Sequence, residues 1–157
     1  VFEKEYIPWS DQLSVGLQEI DEQHKILITL INRLFNEAIL KRADKALLSS
    51  ILDELIQYTF VHFAVEESLF RIFDYPDTET HQAHHDLLKQ EVVNFKKKFD
   101  NGMPIDVELM SFLKKWITQH IMLDDKKYTP FFLGKGFKAK WTKQQSWMGK
   151  IWNSLKS

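Results

Sequence analysis

Five of the six histidines in this 157-residue chain fall on the apolar stripes of four separate helical patterns, which few folds can accommodate. The first pattern runs from about Glu19 to Leu40 and carries Ile20, His24, Leu27, Ile31, Leu34 and Ala38 on one side. Its steps of four and three are the helical period. The second follows Asp44, a residue suited to an N-cap, and runs to about Phe73. Its stripe is Leu48, Ile51, Leu55, Tyr58, His62, Glu66, Leu69 and Phe73. The third, from about Thr78 to Phe99, aligns His81, His85, Leu88, Val92, Phe95 and Phe99, and the fourth, from about Asp106 to Asp124, aligns Leu109, Leu113, Trp116 and His120. An unpartnered buried imidazole or carboxylate costs several kcal/mol. An apolar core therefore gathers such groups only around something that binds them.

The punctuation between the patterns is brief. Pro76 disfavours a helical residue before it and is tolerated in a first turn, and Asn101-Gly102-Met103-Pro104 interrupts the chain again. With only 5 Gly and 4 Pro there is little material for many turns, so long helices are favoured over many strands. Four amphipathic helices on short links predict an all-α fold, an up-down-up-down antiparallel four-helix bundle. Residues 1–18, with Tyr6, Pro8, Trp9, Ser10 and Gly16, read as an ordered N-terminal arm.

Beyond the bundle, charge divides the chain into a body, 1–133, and an extension, 134–157. The extension holds Lys135, Lys138, Lys140, Lys143, Lys150 and Lys156 and no acid, leaving the body near -7 in a chain of net charge -1. Trp141, Trp147, Met148, Ile151, Trp152 and Leu155 run between those lysines as a basic amphipathic C-terminal helix. Such a helix suits docking to an anionic membrane surface, to a protein partner or to the chain's own bundle. The lysines alone are a weak basis for nucleic acid binding, and none is expected. No apolar run approaches a membrane span and no signal pattern opens the chain, so the expected compartment is the cytoplasm.

The absence of cysteine removes disulfides, iron–sulfur clusters and thiolate zinc sites. His62-x-x-x-Glu66 and His81-x-x-x-His85 each set two donors one helical turn apart on one face. Mixed imidazole and carboxylate donors suit iron, manganese or zinc rather than calcium or magnesium. Five imidazoles exceed what one tetrahedral zinc can use but fit two metals sharing carboxylates. His84 lies a step off the donor face and reads as a surface or supporting residue.

These residues resemble the ligand pattern of the hemerythrin family: His24, His62-x-x-x-Glu66, His81-x-x-x-His85 and His120-x-x-x-x-Asp125, in order on four helices. Trp9-Ser10 and Ile20-Asp21-Glu22-Gln23-His24-Lys25 are similar to its bacterial branch, the bacteriohemerythrins. The resemblance spans about residues 6–133. It implies two iron ions with a bridging oxo or hydroxo group, one held by His81, His85 and His120 and the other by His24 and His62, with Glu66 and Asp125 bridging. It also implies reversible O2 binding at the position left open on the second iron, for storage, transport or delivery, with no enzymatic turnover and with an O2-consuming enzyme as the protein partner that residues 134–157 would suit. Leu27, Phe63, Trp116, Ile117 and Ile121 then form an apolar wall around the O2, besides serving as core.

Periodicity alone favours Asp124, four residues after His120, whereas the family pattern uses Asp125, five residues on. The five-residue step requires a helix end or a π-type widening there. The alternatives to a carrier are an O2 or redox sensor and a di-iron oxidoreductase, with ferroxidase, peroxide or nitric oxide chemistry. Di-iron oxygen-activating bundles use more carboxylates than this chain aligns, which favours binding over turnover.

Overall fold

The computed structural model describes residues 3–120, 124–137 and Leu155. Its main helices are α1 (Gln18–Phe35), α2 (Lys45–Ile72), α3 (Thr78–Asp100) and α4 (Val107–Gln119), followed by a short α5 (Thr129–Gly134). Each of the four long helices packs on the next and α4 closes back on α1, so they form a ring of antiparallel neighbours. No helix among the described residues is long and apolar enough to cross a membrane. Apart from the residue Leu155, the expected amphipathic helix of the extension lies outside the described residues.

The helix starts follow local chemistry. The carboxylates of Asp44 and Asp106 accept from the backbone N–H of Leu47 and Leu109, each at 2.9 Å, satisfying donors that the first turn leaves unpaired. α1 ends earlier than its periodicity suggests, and the chain continues as a π-helical turn over Asn36–Leu40. The fourth helix ends in the way that the five-residue step from His120 to Asp125 requires. Regular α-helix stops at Gln119, and His120 and Asp124 are π-helical, before a 3-10 turn over Asp125–Tyr128.

The expected stripes are buried with a few corrections. Ile20, Leu27, Ile31, Leu34, Ile51, Leu55, Val92 and Leu113 are all fully enclosed. Burial of one such side chain stabilises by about 1.5–3 kcal/mol. Ala38, Tyr58, Phe73 and Leu88, assigned inward, are only partly buried. Leu109, likewise assigned inward, is partly buried, and its neighbour Met110 takes the fully enclosed position. A helix contacting two neighbours buries an arc wider than one stripe, and Met110 lies on that arc.

The arm is pinned to α1 by side-chain amides. Asn32 accepts from the N–H of Ile7 at 2.7 Å and donates to its carbonyl at 3.0 Å, and Asn36 does the same with Lys4, at 2.7 Å both ways. Tyr6 stacks on Phe35 with ring centroids 4.3 Å apart. Asp21 accepts from Ser14 Oγ and from the N–H of Val15, which seats the arm's end at the start of α1.

Candidate metal centre

Alternating helix direction brings the first half of α1, the second half of α2, the first half of α3 and the end of α4 to the same end of the bundle. His24, His62, Glu66, His81, His85, His120 and Asp125 converge there, and each is at most 4% exposed. Their donor atoms form two groups, each with all its atoms within 4.8 Å of one another: Glu66, His81, His85, His120 and Asp125 in one, His24, His62, Glu66 and Asp125 in the other. Glu66 and Asp125 belong to both. With His120 and Asp124 π-helical, Asp125 comes inward, its Oδ1 3.0 Å from both His81 Nε2 and His120 Nε2. Asp124, which regular periodicity favours, points to the periphery.

Close approach here is not the same as satisfaction. His24 Nε2 lies 2.8 Å from Asp125 Oδ2, yet neither atom has a directed hydrogen bond. His62 Nε2, Glu66 Oε1, His85 Nε2 and His120 Nε2 are likewise buried without a hydrogen-bond partner. Orphaned polar atoms cost desolvation energy. Orphans aimed at common centres fit metal ions, which take lone pairs from both imidazole and carboxylate.

The outward edges of the rings are held by Gln23 and Glu67, which periodicity did not single out, and by Asp124, which it favoured as a donor. Gln23 Oε1 lies 2.6 Å from His62 Nδ1, and Glu67 Oε2 lies 3.1 Å from His85 Nδ1. Asp124 lies 3.4 Å from His120 Nδ1 and 3.2 Å from the exposed His84. Tyr128 Oη donates to Glu66 Oε2 at 2.5 Å. Adjacency to the donors (Gln23 to His24, Glu67 to Glu66) was the available signal. The Nδ1 contacts leave Nε2 as the inward atom, as metal-binding histidines require.

The cluster's own charges set its protonation. Burial pulls the His62 imidazole down to about 3, against the opposing pull of Glu66. At His120 burial acts the same way but is outweighed by the charge and close approach of Asp125 and by the hydrogen bond of Nδ1 to Asp124, which carry the imidazole up to about 10. Burial would raise Asp125, but the charge of His120, the close approach of the His120 and His24 imidazoles and the hydrogen bond with His81 hold it well below the usual carboxylate range. Both shared carboxylates therefore stand ready as anions.

Around the histidines the packing is apolar. Leu27, Phe63, Trp116 and Ile117 are all buried, while Ile121 lies outside the described residues. Phe63 stacks on His85 at 3.9 Å between centroids and meets His120 edge-on at 5.1 Å. Trp116 donates its indole N–H to the carbonyl of Leu88, so the ring carries no unpaired donor.

Residues 15–132 match the model of the Hemerythrin HHE cation binding domain. A bacteriohemerythrin of Pseudomonas aeruginosa is 33% identical over 123 residues, covering 78% of this chain and 79% of that protein. One from Clostridium acetobutylicum is 31% identical over 127 residues, covering 76% of this chain and 96% of its own length. A solved wild-type hemerythrin superimposes with a TM-score of 0.73 at 28% identity, covering 80% of this chain and 96% of that one.

Proposed function

The chain belongs to the hemerythrin family, and from that premise we propose that its buried cluster holds two iron ions and binds O2 reversibly, for storage, transport or delivery. His81, His85 and His120 serve one ion, His24 and His62 the other, and Glu66 and Asp125 bridge them. The observation that carries the reading is the unequal division of five imidazoles around two shared carboxylates. An ion held by His24 and His62, with one imidazole fewer, would have a position free for a small ligand. A pair of ferrous ions supplies the two electrons that a reversible O2 complex needs.

The protein's own part is to position the donors and keep water out. Gln23, Glu67 and Asp124 fix the imidazole planes, and Tyr128 holds the second oxygen of Glu66. Leu27, Phe63, Trp116 and Ile117, with Ile121 by sequence, line the ligand's surroundings with apolar surface. An apolar wall offers no side-chain proton to a bound ligand and slows its loss to water. The extension 134–157 lies beyond the residues matched by the family model. Its start packs on the bundle, with Phe137 buried and its ring 5.1 Å from that of Phe132, and its lysines and tryptophans suit docking on an anionic membrane surface or a protein partner.

The test is anaerobic reduction of the iron-loaded chain, addition of O2, then its removal, followed by visible absorption. A charge-transfer band that appears with O2 and disappears on deoxygenation is expected. Oxidation without a reversible adduct would overturn the carrier reading in favour of a sensor or a redox enzyme.

A further inference from the structure

Behind the inward donors lies an outer ring of contacts, and it differs between the two groups. On the three-imidazole side two of the outward nitrogens meet carboxylates: Glu67 behind His85 at 3.1 Å, and Asp124 behind His120 at 3.4 Å. Glu67 is itself buried, and the other oxygen of Asp124 is steadied by His84 at 3.2 Å. On the two-imidazole side His62 meets the neutral amide of Gln23 at 2.6 Å. His24 Nδ1 has no hydrogen-bond partner among the described residues.

A carboxylate accepting from Nδ1–H pushes electron density onto the opposite nitrogen and makes it a stronger donor, while a neutral amide does so less. It also adds negative charge near the ion, where a water-poor interior leaves Coulomb attraction weakly screened. Glu66 and Asp125 are common to both groups and cannot distinguish them. Glu67 and Asp124 can.

On the two-ion reading above, we propose that the two metal positions are unequal in retention: the carboxylate-backed position of His81, His85 and His120 fills first and holds its ion, whereas the position of His24 and His62 is labile. Glu67 and Asp124 act as positioning residues through His85 and His120, and Gln23 is the neutral counterpart that keeps the second position weak.

The full chain, loaded anaerobically with ferrous iron, is exposed to excess ferrous chelator and the release followed with time. Two equivalents are expected to leave in two resolved phases. Glu67→Gln and Asp124→Asn, which keep a hydrogen-bond acceptor but remove its charge, accelerate the slow phase by roughly 10–100-fold, the usual cost of such partners. Both leave the fast phase unchanged. Gln23→Glu slows the fast phase instead, a gain that a merely structural role would not produce. Asp124 is partly exposed, so its variant stays informative if Glu67→Gln fails to fold. Release of two equivalents in one phase, or equal acceleration of both, overturns the inequality and leaves the two-ion reading standing. Fewer than two equivalents bound by the unaltered chain overturns both.

Discussion

In the second halves of α1 and α3 and the first halves of α2 and α4, the bundle interior is filled by Ile31, Leu34, Leu52, Leu55, Phe95, Met110 and Leu113. In the other halves of the same helices it is filled by His24, His62, Glu66, His81, His85 and His120, with Asp125 just beyond. The first set is complete in itself, because every buried atom finds apolar neighbours. The second set leaves seven buried side-chain atoms without hydrogen-bond partners. The apolar half can thus supply the stability that permits the polar half to remain unsatisfied until a ligand arrives.

The largest expected effect breaks the polar half alone. Asp125→Asn removes a carboxylate shared by both donor groups, and the variant should fail to retain two metal equivalents by metal analysis after gel filtration. Asp124→Asn should still retain both, with only faster release. Equal losses in the two variants would count against the role of the five-residue step.

A change in the apolar half should do the reverse. Leu55→Ala, at a fully enclosed position, should lower stability by about 2–5 kcal/mol in urea unfolding of the metal-free chain. Metal stoichiometry should stay the same. If Leu55→Ala also lost metal, the two halves would not be separable.

The smallest effect concerns pH, because two histidines oppose each other. His120 is raised to about 10, so its contribution to the metal-free chain is complete below 6.5 and is lost as pH rises toward 10. His62 is lowered to about 3, so its contribution is complete above 6.5 and is lost as pH falls toward 3. The denaturation midpoint of the metal-free chain should therefore peak near pH 6.5. Metal loading, which replaces the proton on His120, should remove the alkaline decline. A metal-free profile that is flat across this range would contradict the assigned protonation.

Much of this was visible in the order of residues. Helical period is a local property, so it placed His24, His62, Glu66, His81, His85 and His120 on inward stripes without any knowledge of neighbours. The N-cap at Asp44 and the breaks between helices are local in the same way. Asp125 is different: periodicity pointed to Asp124, and only the resemblance to a known ligand pattern selected its neighbour. Met110 over Leu109 and the partial burial of Tyr58 depend on how wide an arc each helix buries, which its partners set.

The amino-acid sequence by itself thus determined four amphipathic helices and a set of metal-type donors, because spacing along one helix fixes which side chains share a face. The division of those donors into two groups and the selection of Asp125 were implied by the resemblance to a known ligand pattern, whereas the pairing of Gln23, Glu67, Asp124 and Tyr128 with them came from tertiary structure. Most of these contacts join different helices or the segment beyond α4. Where one side chain meets another across a bundle depends on helix rotation, offset and rotamer together, and no periodicity within a single helix encodes all three.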